Sequence, residues 1–137
     1  GGAMKSWVVP KGPSLNPSHR RLAVLTDDHP LSCKNFEGII PEGEYGAGKV
    51  IVWDRGKYKN IKTNQQGKEM TMMGAFRKGA IEVLFRGKKL RGVFALVRMS
   101  GKNWLFIKMK DGYEDRKKNL IKSNPYSVKS GKKITEL

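Results

Sequence analysis

The densest chemistry in the sequence lies where Arg21 is followed, eight positions on, by His29, with Asp27 and Asp28 directly before the histidine and Pro30 after it. A guanidinium can grip phosphate oxygens bidentately. An imidazole can donate to a phosphate, protonate a leaving alkoxide or ligate a metal. By residue type alone the same cluster also fits an acidic turn closed by a proline, with His29 only orienting it. Asp27, Asp28 and His29 form a weak candidate metal set. Lys11 sits on a stiff loop between Pro10 and Pro13, suited to aim one charge at one phosphate, although a solvated loop lysine reads equally well.

A second cluster spans residues 36–48, where Gly38, Gly43, Gly46 and Gly48 surround Glu37, Glu42, Glu44 and Tyr45. Glycines allow close backbone approach and positive φ. No Gly-Lys-Ser/Thr follows, so this is not a phosphate-binding P-loop. The plain expectation is a structural loop in which Glu42 and Glu44 accept backbone hydrogen bonds beside Tyr45; a metal or catalytic role is the alternative. Arg98 and Lys108, on neighbouring predicted strands, are further phosphate-binding candidates if they share a face. His19 reads as a surface residue, Trp7 as core, and Cys33 as inert; zinc-finger spacing is absent.

The elements that must position these groups are mostly strands. Alternation predicts a short strand around residues 22–24, a buried strand over 49–54 closed by Arg55 and Gly56, and three more over 80–86, 90–99 and 104–110. Short Gly-containing turns make the last three a meander. Residues 62–68 read as a polar, mobile connection. From residue 112 the chain turns polar and basic, with short helices expected near 113–120 and from 134, packed on the rest or loosely attached. The expected fold is all-β: a compact antiparallel barrel or strongly bent closed sheet, because short strands with few helices must cover their edges.

At 137 residues the chain suits a single domain. Twenty-eight Lys and Arg against twelve Asp and Glu give a net charge of +16, which points to a polyanionic partner, nucleic acid above all; a generally basic surface is the plainer explanation. No apolar run is long enough to span a bilayer, and no basic amphipathic helix argues for a lipid surface. One cysteine excludes an internal disulfide and suits a reducing, cytoplasmic compartment. A basic, ribosome-associated barrel fits charge and fold but not the order of the motifs.

Taken together, the segments Lys5-Ser-Trp-Val-Val-Pro-Lys-Gly-Pro-Ser14, Arg21-Leu-Ala-Val24, Asp28-His-Pro-Leu31, Phe36-Glu-Gly-Ile-Ile-Pro-Glu-Gly-Glu-Tyr-Gly-Ala-Gly48, Val50-Ile-Val-Trp-Asp-Arg-Gly56, Leu96-Val-Arg98 and Tyr126-Ser-Val-Lys-Ser-Gly131 resemble the 3′-phosphoesterase module of DNA ligase D. The resemblance runs in order through nearly the whole chain. It implies a manganese-dependent enzyme of DNA repair with a β-barrel core, which removes a terminal ribonucleoside from a primer strand and then hydrolyses the 3′-phosphate. It places Lys11, Arg21, Asp28 and His29 among the phosphate-gripping and active-site groups, with Asp27 where a glutamate is usual. It also implies a ligase or polymerase as fused or associated partner. Two departures stand out. Cys33 replaces a tyrosine, and the family's His-Asp-x-x-x-x-His-Tyr-Asp-x-Arg-Leu metal motif would lie upstream of Lys5. An incomplete enzyme, or a non-catalytic module that binds 3′ ends, is therefore the alternative expectation.

Overall fold

The structure, a computed structural model, describes residues 3–26, 29–30, 37–40, 48–117 and 119–136. The described residues form strands β1 (Ala3–Met4), β2 (Trp7–Val8), β3 (Arg21–Leu25), β4 (His29–Pro30), β5 (Gly38–Ile40), β6 (Gly48–Val50), β7 (Gly56–Asn60), β8 (Ala80–Gly87), β9 (Arg91–Ser100) and β10 (Asn103–Lys108). Helices α1 (Met72–Lys78) and α2 (Leu120–Ser123) and a 3-10 turn (Ile134–Glu136) complete them.

The expected meander is present as β8, β9 and β10, and the all-β class holds. Six strands form one antiparallel half-barrel sheet in the order β2-β3-β10-β9-β8-β7, while β1 pairs with β4 and β5 with β6. Within the described residues the large sheet is open, with β2 and β7 at its edges. Because side chains alternate across a strand, register fixes which residues share a face. Ala23 lies opposite Trp104, Arg21 opposite Phe106, Leu96 opposite Phe106 and Ile81 opposite Leu96. These residues make up the inner face.

The core covers that face in two patches. Ala23, Ala75, Ile81, Val83 and Trp104 are buried in one, and Leu15, Phe94 and Leu120 in the other, with Phe85 and Phe106 packed against both. Helix α1 closes the first patch: Phe76 stacks on Trp104 at 5.6 Å between centroids, and Trp7 meets Trp104 edge-on at 5.5 Å. Thr71 caps the start of α1, its hydroxyl accepting from the Gly74 amide, and Gly79 ends it at φ 76.

Three local readings change. Residues 51–55 are not strand. Val52 is buried, the Trp53 indole donates to the Asn124 carbonyl, and the Asp54 carboxylate accepts the amides of Lys88, Lys89 and Leu90. The connection expected to be mobile is a closed turn: Thr63 bridges Glu69, and the Asn64 side chain accepts from the Gln66 and Lys68 amides. The helix expected near 113–120 lies at α2 instead, where Asn119 caps Leu120 onward. The polar segment after residue 112 is tied down at several points. Leu120 is in the core, Val128 donates to the Val52 carbonyl, and the Ser127 hydroxyl donates to Glu37 Oε1. That last bond, followed by opposing burial and then the Val52 amide, leaves the Glu37 carboxyl below its ordinary value.

Candidate functional site

β3 is the element that organises the site. Its first residue, Arg21, lies opposite Phe106 on the inner face, two positions from fully buried Ala23. The guanidinium is thus rooted in the wall of the core rather than on the solvent side. Its Nε is buried and has no hydrogen-bond partner among the described residues. An unpaired buried donor costs about 1–3 kcal/mol, so it marks a place built to meet an acceptor. The same wall carries two more such donors, the indole N–H groups of Trp7 on β2 and Trp104 on β10.

β3 also directs the chain toward His29. The Thr26 amide donates to the Ser6 carbonyl at 2.9 Å, which holds the end of β3 against the approach to β2. β4 then lies beside β1, with His29 opposite Met4. For His29 only the backbone placement is described. Asp27, Asp28, Glu42, Glu44 and Tyr45 lie outside the described residues, as does Cys33.

Lys11 occupies the third position of a turn closed by the Gly12 amide on the Val9 carbonyl at 2.9 Å, and it is exposed. Pro10 presets the turn, and Gly12 completes it at φ 72. A Cβ at Gly12 would fall 2.3 Å from Ile121 Cδ1, so the turn is seated directly on α2. Lys11 is therefore presented from a packed loop.

The loop between Lys11 and β3 has its own network. Asn16 Oδ1 accepts from the Ser18 amide, the Ser18 hydroxyl and Arg116, which fixes the direction of its amide. Asn16 Nδ2 must then donate to His19 Nε2, leaving His19 Nδ1 to donate to Ser14 Oγ at 2.8 Å. In this tautomer His19 holds a loop together and is not a base for Ser14. It is exposed, as the sequence suggested.

Arg98 and Lys108 do share the inner face, since Arg98 lies opposite Trp104 and Lys108 opposite Phe94. Their environments differ. Arg98 is exposed and leans on Gly79. Lys108, expected beside it as a phosphate contact, is only 1% exposed. Its ammonium lies 5.5 Å from the Phe94 ring centroid and donates to the Met109 carbonyl and to Asp111 Oδ1. A cation so enclosed is committed to the fold. Burial pushes the Asp111 carboxyl up, but the Lys108 hydrogen bond and the amides of Val93 and Tyr113 outweigh it and leave the carboxyl below its ordinary value.

No three His, Cys, Asp or Glu side chains come together among the described residues, so this part of the chain offers no ligand set for a metal ion. No described helix is long and apolar enough to cross a membrane. What sequence reading missed is the pair of orphaned indoles and the role of Asp54, since neither burial nor a contact across 34 residues leaves a local signal.

Comparison with known proteins bears on the same strands. Residues 1–98 match the family described as the DNA ligase D 3′-phosphoesterase domain. The chain is 44% identical over 136 residues to the multifunctional non-homologous end joining protein LigD of Pseudomonas aeruginosa, covering 94% of this chain and 15% of that protein. The proteins of the same name from Mycobacterium bovis and Mycolicibacterium smegmatis are 41% identical over 110 residues, covering 80% of this chain. The chain spans 13% of the first of these and 14% of the second, a small fraction of each relative's length.

Proposed function

The chain belongs to the DNA ligase D 3′-phosphoesterase domain family, and on that premise we propose that it processes 3′ ends of DNA during end-joining repair, removing a terminal ribonucleoside and then the 3′-phosphate. The observation that carries this reading is Arg21, a guanidinium rooted on the inner wall of the sheet with a buried Nε that lacks a partner among the described residues. A terminal phosphate supplies the acceptor that this donor lacks, and charge-assisted bonds are the stronger kind. Lys11 adds a second positive charge from its packed turn.

In the phosphatase step water attacks phosphorus, the bond from phosphorus to O3′ breaks, and the departing alkoxide takes up a proton. The products are a 3′-hydroxyl and inorganic phosphate. Arg21 and Lys11 hold the non-bridging oxygens and offset the charge that builds on them. His29 serves as the proton donor to O3′, with Asp28 beside it in sequence. Manganese, implied by the family resemblance, would supply further charge neutralisation. The described residues hold no ligand set for it. The relatives are multifunctional end-joining proteins, and a ligase and polymerase acting on the same ends are the partners this reading expects.

The test compares wild type and Arg21→Ala on primer–templates ending in 3′-phosphate or 3′-hydroxyl. Affinity by titration and phosphate release are both followed, with manganese and with chelator. Wild type should prefer the 3′-phosphate, and Arg21→Ala should lose that preference, on the order of 1.5–3 kcal/mol for a charge-assisted bond. Equal loss on both ends with the fold intact would reduce Arg21 to general backbone contact. Preference for the phosphate without turnover in either metal condition would make the chain a 3′-end-binding module.

A further inference from the structure

The charged groups of the outer face lie apart from Arg21, and three of them form an ordered row. Lys57 on β7 lies directly opposite Arg86 on β8, which lies directly opposite Arg91 on β9. All three are exposed. Tyr58 and Phe85 occupy the alternate positions toward the core, so the three cations point to the outer side, away from the face that carries Arg21. Side chains directly opposite on neighbouring antiparallel strands are about 4.5–5.5 Å apart at Cβ, and like charges there oppose folding. No ion pair relieves any of the three among the described residues.

The row is also held firmly. Asp54 accepts the Lys88, Lys89 and Leu90 amides at 3.1, 3.1 and 2.8 Å and so locks the turn between β8 and β9. Arg91 Nε donates to the Gly87 carbonyl at 2.9 Å. Gly56 lies opposite Gly87, and a Cβ on Gly56 would sit 2.5 Å from the Arg86 carbonyl oxygen, so β7 reaches this register only with glycine there.

We propose that Lys57, Arg86 and Arg91 form a second nucleic-acid contact, which tracks the phosphates of a strand at a distance from its 3′ end. The inference rests on the reading of the chain as a DNA 3′-end enzyme. Three cations in a rigid line, uncompensated within the described protein, match a polymer whose strands carry one phosphate per about 3.4 Å of axial rise. The line spans about 10 Å, two strand spacings, and so can meet two or three consecutive phosphates. Arg21 lies two strands from Arg91 and four from Lys57 in sheet order, about 10–19 Å measured along the sheet, and on its opposite face. The row thus grips the body of the substrate while Arg21 meets its end.

The test titrates primer–template DNA, ending in 3′-phosphate or 3′-hydroxyl, against wild type and the Lys57→Gln/Arg86→Gln/Arg91→Gln variant between 50 and 200 mM salt. Loss of two or three phosphate contacts should flatten the slope of log affinity against log salt by about 1.8–2.7, at about 0.9 per contact. The ratio of affinities for the two ends should stay unchanged, because the terminal grip is elsewhere. Arg86→Gln alone should remove about 0.9 of slope and keeps the test decisive should the triple variant not fold. An unchanged slope in Arg86→Gln, or a changed end ratio at constant slope, would overturn the proposal. So would binding of wild type to phosphatidylserine vesicles that the triple substitution weakens as much as DNA binding. A wild type that binds no DNA would instead bring down the functional reading on which the row depends.

Discussion

Two cations face inward from neighbouring strands, and they have opposite fates. Lys108 on β10 has three donors and meets the Asp111 carboxylate, the Met109 carbonyl and the face of Phe94. Arg21 on β3 is opposite Phe106, two residues before Lys108 in β10, yet its Nε finds no acceptor among the described residues. Among the described residues one charge is answered internally, while the other keeps a buried Nε that owes a hydrogen bond. Burial alone therefore does not separate structural from ligand-binding cations; the balance of donors and acceptors around each one does.

The sharpest way to break this contrast is to remove each cation in turn. Lys108→Ala should cost about 3–5 kcal/mol of stability in urea titrations, because it strands Asp111 and empties a packed site. Its folded fraction should still prefer 3′-phosphate ends. Arg21→Ala should show the reverse pattern: the loss of end preference described above, with a stability change below about 1 kcal/mol, since its Nε has no partner to abandon among the described residues. A stability loss in Arg21→Ala as large as that of Lys108→Ala would erase the distinction.

Acid gives the smallest effect and sharpens the same contrast. The Asp111 carboxyl titrates below its ordinary value in the folded chain, so the stability it contributes is complete above the unfolded value, near pH 4, and is lost as pH falls through the lower folded value. The midpoint of urea unfolding should therefore drop across that acid window, and Asp111→Asn should flatten that part of the profile. An identical acid profile in Asp111→Asn would remove the pair from the account.

The meander of β8, β9 and β10 was legible because period-two alternation and glycine turns are local signals. The shared face of Arg98 and Lys108 was not, because it rests on the register between β9 and β10. The fate of Lys108 was not legible: it read as a phosphate contact, and only the fold encloses it against Phe94 and brings Asp111 to it. Asp54 misled, since an apolar run through Trp53 reads as strand while the carboxylate holds a turn more than thirty residues away. Helix α1 went unread, although its capping threonine and closing glycine stand in the sequence, because Gly74 and β-prone neighbours weaken a seven-residue helical pattern. Asp27, Asp28, Glu42, Glu44 and Tyr45 fall outside the described residues, and the side chain of His29 with them.

The pairing of β3 with β10 also dictates an order of events. The turns between β8 and β9 and between β9 and β10 each close over a few residues. Ala23 meets Trp104 across 81 positions, 104 minus 23. Closing a loop some twentyfold longer costs about 2.7 kcal/mol more in chain entropy, and distant contacts of this kind form late. The meander is thus a template that assembles first, and β2 and β3 dock on it afterwards. Arg21 reaches its wall only when that docking is complete, so a nascent or partly unfolded chain exposes a finished meander before it owns a phosphate grip. Local opening of β2 and β3 while the meander persists would make possession of the site itself a reversible folding step.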